Sequence, residues 1–178
     1  MPFGIAYDVL PTPALTREQR RTLRALLDLA FAGRFADSDW AHTLGGLHVL
    51  AREGDVLVGH GAVVPRQLTA GARHFRTGYV EALAVHPDWR RRGIGDQTMI
   101  RIEEAIRGAY DLGALAATDD SLRLYQRRGW VEWRGPLAGR TPAGVVATPE
   151  EVVHVLIGEV PVDLQAALTC DWREGDLW

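Results

Sequence analysis

Between an apolar stretch that closes at Val85 and an amphipathic one that opens near Gly93, the chain reads Arg90-Arg91-Arg92-Gly93-Ile94-Gly95-Asp96. This segment restricts the possible folds more than any other. Before it, Tyr79-Val-Glu-Ala-Leu-Ala-Val85 suits a strand; after it, Met99, Ile102, Ala105, Ile106 and Ala109 recur on one face of a helix running from Gly93 to about Tyr110. A strand must therefore turn into a helix across two glycines. Glycines let the backbone turn tightly and approach a ligand, while the unpaired N–H groups of the new helix point outward with the positive end of its dipole. With three arginines alongside, the anion this geometry suits is a pyrophosphate. A dinucleotide fingerprint is the competing reading. Against it, Thr98 stands where the third glycine belongs, and the segment falls mid-chain after what reads as an antiparallel meander.

That meander follows two helices. Thr16 caps the first, which carries Leu23, Leu26, Leu27 and Ala30 on one face, arginines on the other, and ends near Gly33. Asp37 or Ser38 caps the second, broken by Gly45-Gly46. Leu47–Arg52 and Val56–Leu68 read as strands joined by a turn at Glu53-Gly54-Asp55, and His74–Val85 as a third. Downstream, Leu112–Ala116 is a short buried strand, and Thr118 or Asp119 caps a helix stopped by Gly129. Trp130–Trp133 is strand-like, so strand and helix alternate and predict local parallel pairing in a mixed sheet. Gly135–Pro149, rich in glycine and proline, is expected to be a loop; Val152–Ile157 is the last strand, before an irregular acidic tail.

All 20 basic residues are arginine, and neither lysine nor asparagine occurs. Schiff-base chemistry, a P-loop lysine, Cys-His-Asn catalysis and N-glycosylation are thereby removed together. Neither serine, Ser38 or Ser121, lies in a Gly-x-Ser-x-Gly elbow. Cys170 is the lone cysteine, so there is no internal disulfide; a reduced cytoplasmic compartment is expected, and the acids near the thiol should raise its pKa. The six histidines form no ligand-spaced pair, so they read as scattered and no metal is expected. A net charge of −3 gives no global footprint for nucleic acid or an anionic membrane, no apolar run is long enough to span a bilayer, and 178 residues suit one domain.

The junction does not stand alone. Glu81-Ala-Leu-Ala-Val85, Pro87, Arg90-x-x-Gly93-x-Gly95, Leu124-Tyr125 and Gly129-Trp130 together resemble the acetyl-CoA-binding core of the GNAT N-acetyltransferases. Phe31-Ala-Gly33, Asp39-Trp40, His42-Thr-Leu-Gly-Gly46, Gly78-Tyr-Val-Glu81 and the ending Cys170-Asp-Trp-Arg-x-Gly-Asp-x-Trp178 extend the resemblance to the aminoglycoside 2′-N-acetyltransferases, over nearly the whole chain. The resemblance implies a single α/β domain over 1–178: a central mixed, mostly antiparallel sheet, splayed at the acetyl-CoA site and flanked by helices. It implies that the backbone of Leu83, Ala84 and Val85 pairs with the pantetheine of acetyl-CoA. It also implies that Arg90, Arg91, Arg92, Gly93, Ile94, Gly95 and Asp96 hold the pyrophosphate, and that Thr118, Ser121 and Leu122 flank the cofactor arm.

Acetyl transfer to an amine needs a free lone pair, a polarised thioester carbonyl and a proton for the departing thiolate. Glu81 lies in an otherwise apolar strand, where a carboxylate is costly to bury. The resemblance makes it the base, directly or through a water, or the amine-positioning group, and makes Tyr125 the acid. The implied acceptor is an aminoglycoside or similar polyamine, attacked directly in a ternary complex. Asp39, Glu81, Ala82, Ala116, Glu150, Glu151, Asp176 and Trp178 are its implied contacts, with Glu150 and Glu151 both candidates for one acidic role. From Pro149 onward seven acids face Arg173 alone, which suits a polycation. The tail is expected to fold back over the acceptor site, its Trp178 ring anchored and the Trp178 carboxylate available to an ammonium. Arg34 stands where the family commonly has an acid, which keeps another small polyamine or a protein amine open as the acceptor. A non-catalytic acyl-CoA-binding module is the alternative of a different class, and relatives suggest a homodimer.

Overall fold

Thr16 begins the first helix with a reciprocal cap. Its hydroxyl accepts from the Gln19 N–H at 3.1 Å, and the Gln19 amide oxygen accepts from the Thr16 N–H at 2.9 Å. The helix is α1, Arg17–Ala30. It belongs to a computed structural model that describes residues 4–117 and 121–178. The chain divides into two compact units, 1–64 with 80–105 and 65–79 with 106–178. β3 (Val56–Ala70), β4 (Arg73–Val85) and α3 (Ile94–Ala109) each contribute residues to both.

In the first unit, β1 (Ala6–Pro11) pairs antiparallel with β2 (Leu47–Glu53), which turns at Gly54 and pairs antiparallel with β3 from Leu47↔Val63 to Glu53↔Val56. Arg52 and Asp8 form an ion pair between β1 and β2. The apolar face of α1 buries Leu23, Leu26 and Leu27 with Leu50, Leu57, Phe35 and Ala84. Gly61 lets α3 close on β3, because a Cβ there would lie 2.7 Å from the Ile102 side chain. The short helix α2 (Asp37–His42) departs from expectation at its start: Ala36 is the capping position, and Asp39 accepts from its N–H at 2.8 Å. Asp37 does not serve as the cap; its carboxylate accepts from Arg24 of α1 at 2.8 Å.

In the second unit, the start of β4 pairs in parallel with β5 (Leu112–Ala116), from Thr77↔Leu112 to Tyr79↔Ala114. The ladder ends there although β4 runs on to Val85, as expected of a sheet that splays at this strand. β9 (Val153–Ile157) pairs antiparallel along all of β5, and β6 (Val131–Glu132) pairs antiparallel with β9. β9 thus lies between β5 and β6, and within the alternating run the parallel pairing is that of β4 with β5. On β9, Val153, His154 and Val155 are almost fully buried. α4 (Leu122–Arg127) precedes β6; the expected caps Thr118 and Asp119 lie outside the described residues.

Residues 135–149 are not a loop. They hold the antiparallel hairpin of β7 (Leu137–Thr141) and β8 (Gly144–Ala147). Nor is the tail wholly irregular: β10 (Leu168–Cys170) pairs in parallel with β7 and antiparallel with the end of β3. The mixed, mostly antiparallel sheet flanked by helices is therefore present, with three more strands than the sequence suggested, β7, β8 and β10, toward its C-terminal end.

Candidate active site

Beyond Val85 the chain makes one tight turn at Pro87–Trp89 and then reverses through two left-handed residues, Arg91 (φ +61°) and Gly93 (φ +78°). Glycine accepts that conformation without a steric penalty. The first α3 backbone bond runs from the Gln97 N–H to the Gly93 carbonyl at 3.0 Å. The amides of Ile94, Gly95 and Asp96 therefore start the helix ahead of any intrahelical acceptor. Two of the three exposed arginines brace the loop. Arg90 donates to the carbonyls of Ala30 (3.1 Å) and Val85 (3.4 Å), and Arg92 donates to the Asp88 carbonyl at 3.1 Å with its guanidinium 4.6 Å from the Trp89 ring. A reversed loop with leading amides and exposed cationic side chains fits a pyrophosphate. Of the strand residues before it, Ala84 is buried, Leu83 and Val85 half-buried.

Glu81 lies half-buried on β4, and the next residue departs from strand conformation although the strand runs on to Val85. Ala82 has φ +48°, a left-handed conformation rare for a residue with a side chain. Its carbonyl accepts from the Nδ1 of His60 at 2.9 Å. Sequence reasoning had left this histidine among the scattered ones. Asp39, also half-buried, presents one carboxylate oxygen to its own helix cap. Arg34 is exposed.

The second unit gathers a different set. Tyr125 on α4 is 5% exposed and tilted 58° against Trp130, with ring centroids 6.1 Å apart. Burial pushes its phenol up to about 12, against the opposing hydrogen bond with Ser121. Ser121 and Leu122 are half-buried beside it in sequence, and Ala116 is exposed at the end of β5; Thr118 lies outside the described residues. Three acids of this unit are neighbours, Glu150, Glu151 and Asp176. Glu151 is pushed up by burial, by Glu150 and by Asp176, and Arg173 offsets part of that effect.

The tail that supplies Asp176 is pinned at several points. The Trp178 indole, 5% exposed, donates to the buried Thr148 hydroxyl at 2.8 Å. Arg66 donates to the Asp171 carboxylate at 2.8 Å, to the Asp171 carbonyl at 3.0 Å and to the Leu177 carbonyl at 2.8 Å, while stacking 4.8 Å from the centre of the Tyr79 ring. Neither Arg66 nor Thr148 was marked by the sequence, because each acts through a partner about 30 or more residues away. Cys170 is buried, and burial rather than its acidic neighbours is the main reason its thiol is pushed up. A cleft of about 420 Å³ lined by Ile106, Tyr110, Asp111, Leu156 and Val160 contains none of the predicted residues, and its Asp111 is held by Arg76 at 2.9 Å. Among the described residues no helix is long and apolar enough to cross a membrane, and no group of three or more His, Cys, Asp or Glu could hold a metal ion.

The acetyltransferase (GNAT) family model matches residues 13–130. The chain is 44% identical over 173 residues to an aminoglycoside 2′-N-acetyltransferase of Mycolicibacterium fortuitum, covering 94% of this chain and 89% of that one. A GNAT family acetyltransferase from Brucella melitensis, solved in complex with acetyl-CoA, matches with a TM-score of 0.62 at 16% identity, over 93% of this chain and 95% of its own. Escherichia coli ElaA matches with a TM-score of 0.61 at 16% identity, over 85% and 98%. At such low identity the two structural matches speak for the fold alone.

Proposed function

Since this chain belongs to the acetyltransferase (GNAT) family, we propose that residues 1–178 act as one catalytic domain that acetylates the 2′-amine of an aminoglycoside. The observation that carries the acceptor class is the acidic neighbourhood of Glu151, whose carboxyl is pushed up first by burial and then by Glu150 and Asp176. Carboxylates gathered this closely are stabilised by a polycation. The Mycolicibacterium relative supports the same class.

Acetyl-CoA, when bound, supplies the activated acyl carbon. The backbone of Leu83–Val85 would line its pantetheine, the amides of Ile94–Asp96 with Arg91 would face its pyrophosphate, and Ser121 and Leu122 would flank its arm. Glu81 removes the proton of the acceptor ammonium, directly or through a water, or holds the amine in line. Tyr125 keeps its proton at neutral pH and offers it to the sulfur as charge gathers there. The amine attacks directly in a ternary complex: Cys170, the one thiol, is buried with a raised pKa and donates to the Leu177 carbonyl at 3.3 Å, which makes it a poor acyl carrier. Asp39, Ala82, Ala116, Glu150, Glu151, Asp176 and Trp178 complete the acceptor side. The exposed cation of Arg34, which repels a polycation, leaves one further reading, another small polyamine or a protein amine as the acceptor.

Thiol release from acetyl-CoA tests these assignments. Release is expected with tobramycin and absent with an aminoglycoside that bears a hydroxyl at its 2′ position. Release with a linear polyamine only would reassign the acceptor, and binding of acetyl-CoA without release in any arm would reduce the protein to an acyl-CoA-binding module.

A further inference from the structure

Three of the buried polar side chains of the first unit are joined by hydrogen bonds, and the catalytic scheme uses none of them: Thr12, His48 and His60 are 9%, 0% and 0% exposed. Their hydrogen bonds run in one direction. The Ala82 carbonyl can only accept, so Nδ1 of His60, 2.9 Å away, carries the proton. A neutral His60 then has a bare Nε2, which accepts from Nδ1 of His48 at 3.1 Å. His48 Nε2 is bare in turn and accepts from the Thr12 hydroxyl at 2.8 Å, and that hydroxyl accepts from the Gly45 N–H at 2.9 Å. Reversing the chain would need a charged His60. Burial and the neighbouring His48 oppose that charge and bring its pKa down to about 3, and burial with Arg20 brings His48 down to about 4.

The chain of bonds ends at the one residue of β4 whose backbone is left-handed. In a regular strand successive side chains alternate between faces. At φ +48° Ala82 interrupts the alternation, and Glu81, Ala82 and Leu83 are three consecutive half-buried residues. The conformation of the Ala82 peptide therefore sets the direction in which Glu81 leaves the strand.

We propose that Thr12, His48 and His60 are positioning residues, a relay of hydrogen bonds that holds the Ala82 kink and through it the aim of Glu81. The assignment rests on the reading of Glu81 as the carboxylate that meets the acceptor amine.

His60→Leu removes the donor to Ala82, whereas His60→Asn keeps an N–H near the position of Nδ1. His60→Leu is expected to lower kcat for aminoglycoside acetylation by about ten- to a hundredfold, with acetyl-CoA affinity by calorimetry within about twofold, and His60→Asn to restore most of the loss. Thr12→Val, at the far end of the relay, should fold readily and lower kcat by a few-fold. A wild-type kcat in His60→Leu, or no recovery in His60→Asn, overturns the proposal.

A second arm needs no activity. Glycine tolerates φ +48°, so the drop in denaturation midpoint caused by His60→Leu should be at least halved in an Ala82→Gly background. Equal drops in both backgrounds would show that His60 does not hold the kink, whatever the substrate. If the wild-type protein acetylates no aminoglycoside, the functional reading fails and the positioning role falls with it. The midpoint comparison would still decide, on its own, whether the relay holds Ala82.

Discussion

Tyr125 has a phenol on which the surroundings pull two ways, since burial lifts its pKa to about 12 while the Ser121 hydrogen bond works against the shift. The balance leaves it protonated across the range in which an enzyme works. A cysteine-like thiol ionises near ~8.5, so complete proton transfer from such a phenol to a fully formed thiolate is uphill. In the proposed scheme its contribution is a hydrogen bond that strengthens as the carbon–sulfur bond breaks. Tyr125→Phe should accordingly lower kcat about a hundredfold and leave acetyl-CoA affinity unchanged, because the ring still fills its place against Trp130. The same pKa predicts that kcat of the unaltered protein shows no alkaline fall due to this group below about pH 10. Steady-state kinetics with calorimetry check both. A Phe variant turning over at the wild-type rate removes Tyr125 from the chemistry.

The β2–β3 hairpin places His48 and His60 in contact, and this gives the element its own pH dependence. Both rings have folded pKa values, about 4 and about 3, below the ordinary 6.5. The unfolded chain therefore binds protons first as pH falls. Their contribution to stability is complete above about pH 6.5 and is lost as pH drops toward 4 and 3. Between about pH 7.5 and about pH 5 the loss is on the order of 2 kcal/mol for each ring. Urea denaturation at the two pH values should reveal it, and His48→Leu should remove much of the difference; an unchanged difference would assign the pH dependence to other groups. This hairpin was legible in the sequence, as was α1, because strands, turn and cap are written in adjacent residues. The histidine contact left a fainter mark: both rings lie six residues from Gly54. The β7–β8 hairpin was missed for the opposite reason. Gly139 and Gly144 read as breakers, yet both lie in strands, and the partner of β7 in parallel pairing is β10, some thirty residues on. Ala82 gave no signal at all, since no residue type marks an alanine that will be left-handed.

Across the whole chain the charge is unevenly divided. The last thirty residues hold seven acids and one arginine, which leaves the preceding 148 net positive although the total is −3. Such a skew serves a polycationic acceptor only if the acidic segment is held in place, and Arg66 is one of the side chains that hold it, with Trp178 on Thr148. The Arg66 guanidinium, 4% exposed, donates to Asp171 and to the Leu177 carbonyl, on either side of Asp176 in sequence. Charge and clasp can therefore be separated by experiment. Glu151→Gln and Asp176→Asn remove attraction but leave the clasp: the aminoglycoside KM should rise roughly five- to tenfold, equivalent to about 1 kcal/mol, with kcat and the acetyl-CoA KM little changed. The rise of KM with added salt should flatten, because fewer charges remain to be screened. Arg66→Met keeps every carboxylate and frees the segment that carries them. The aminoglycoside KM should again rise, now with its salt dependence intact, since the missing term is conformational. If Arg66→Met binds aminoglycoside as the unaltered protein does, the clasp is only structural. If the carboxamide variants keep both KM and salt slope, the acids of the tail do not meet the substrate.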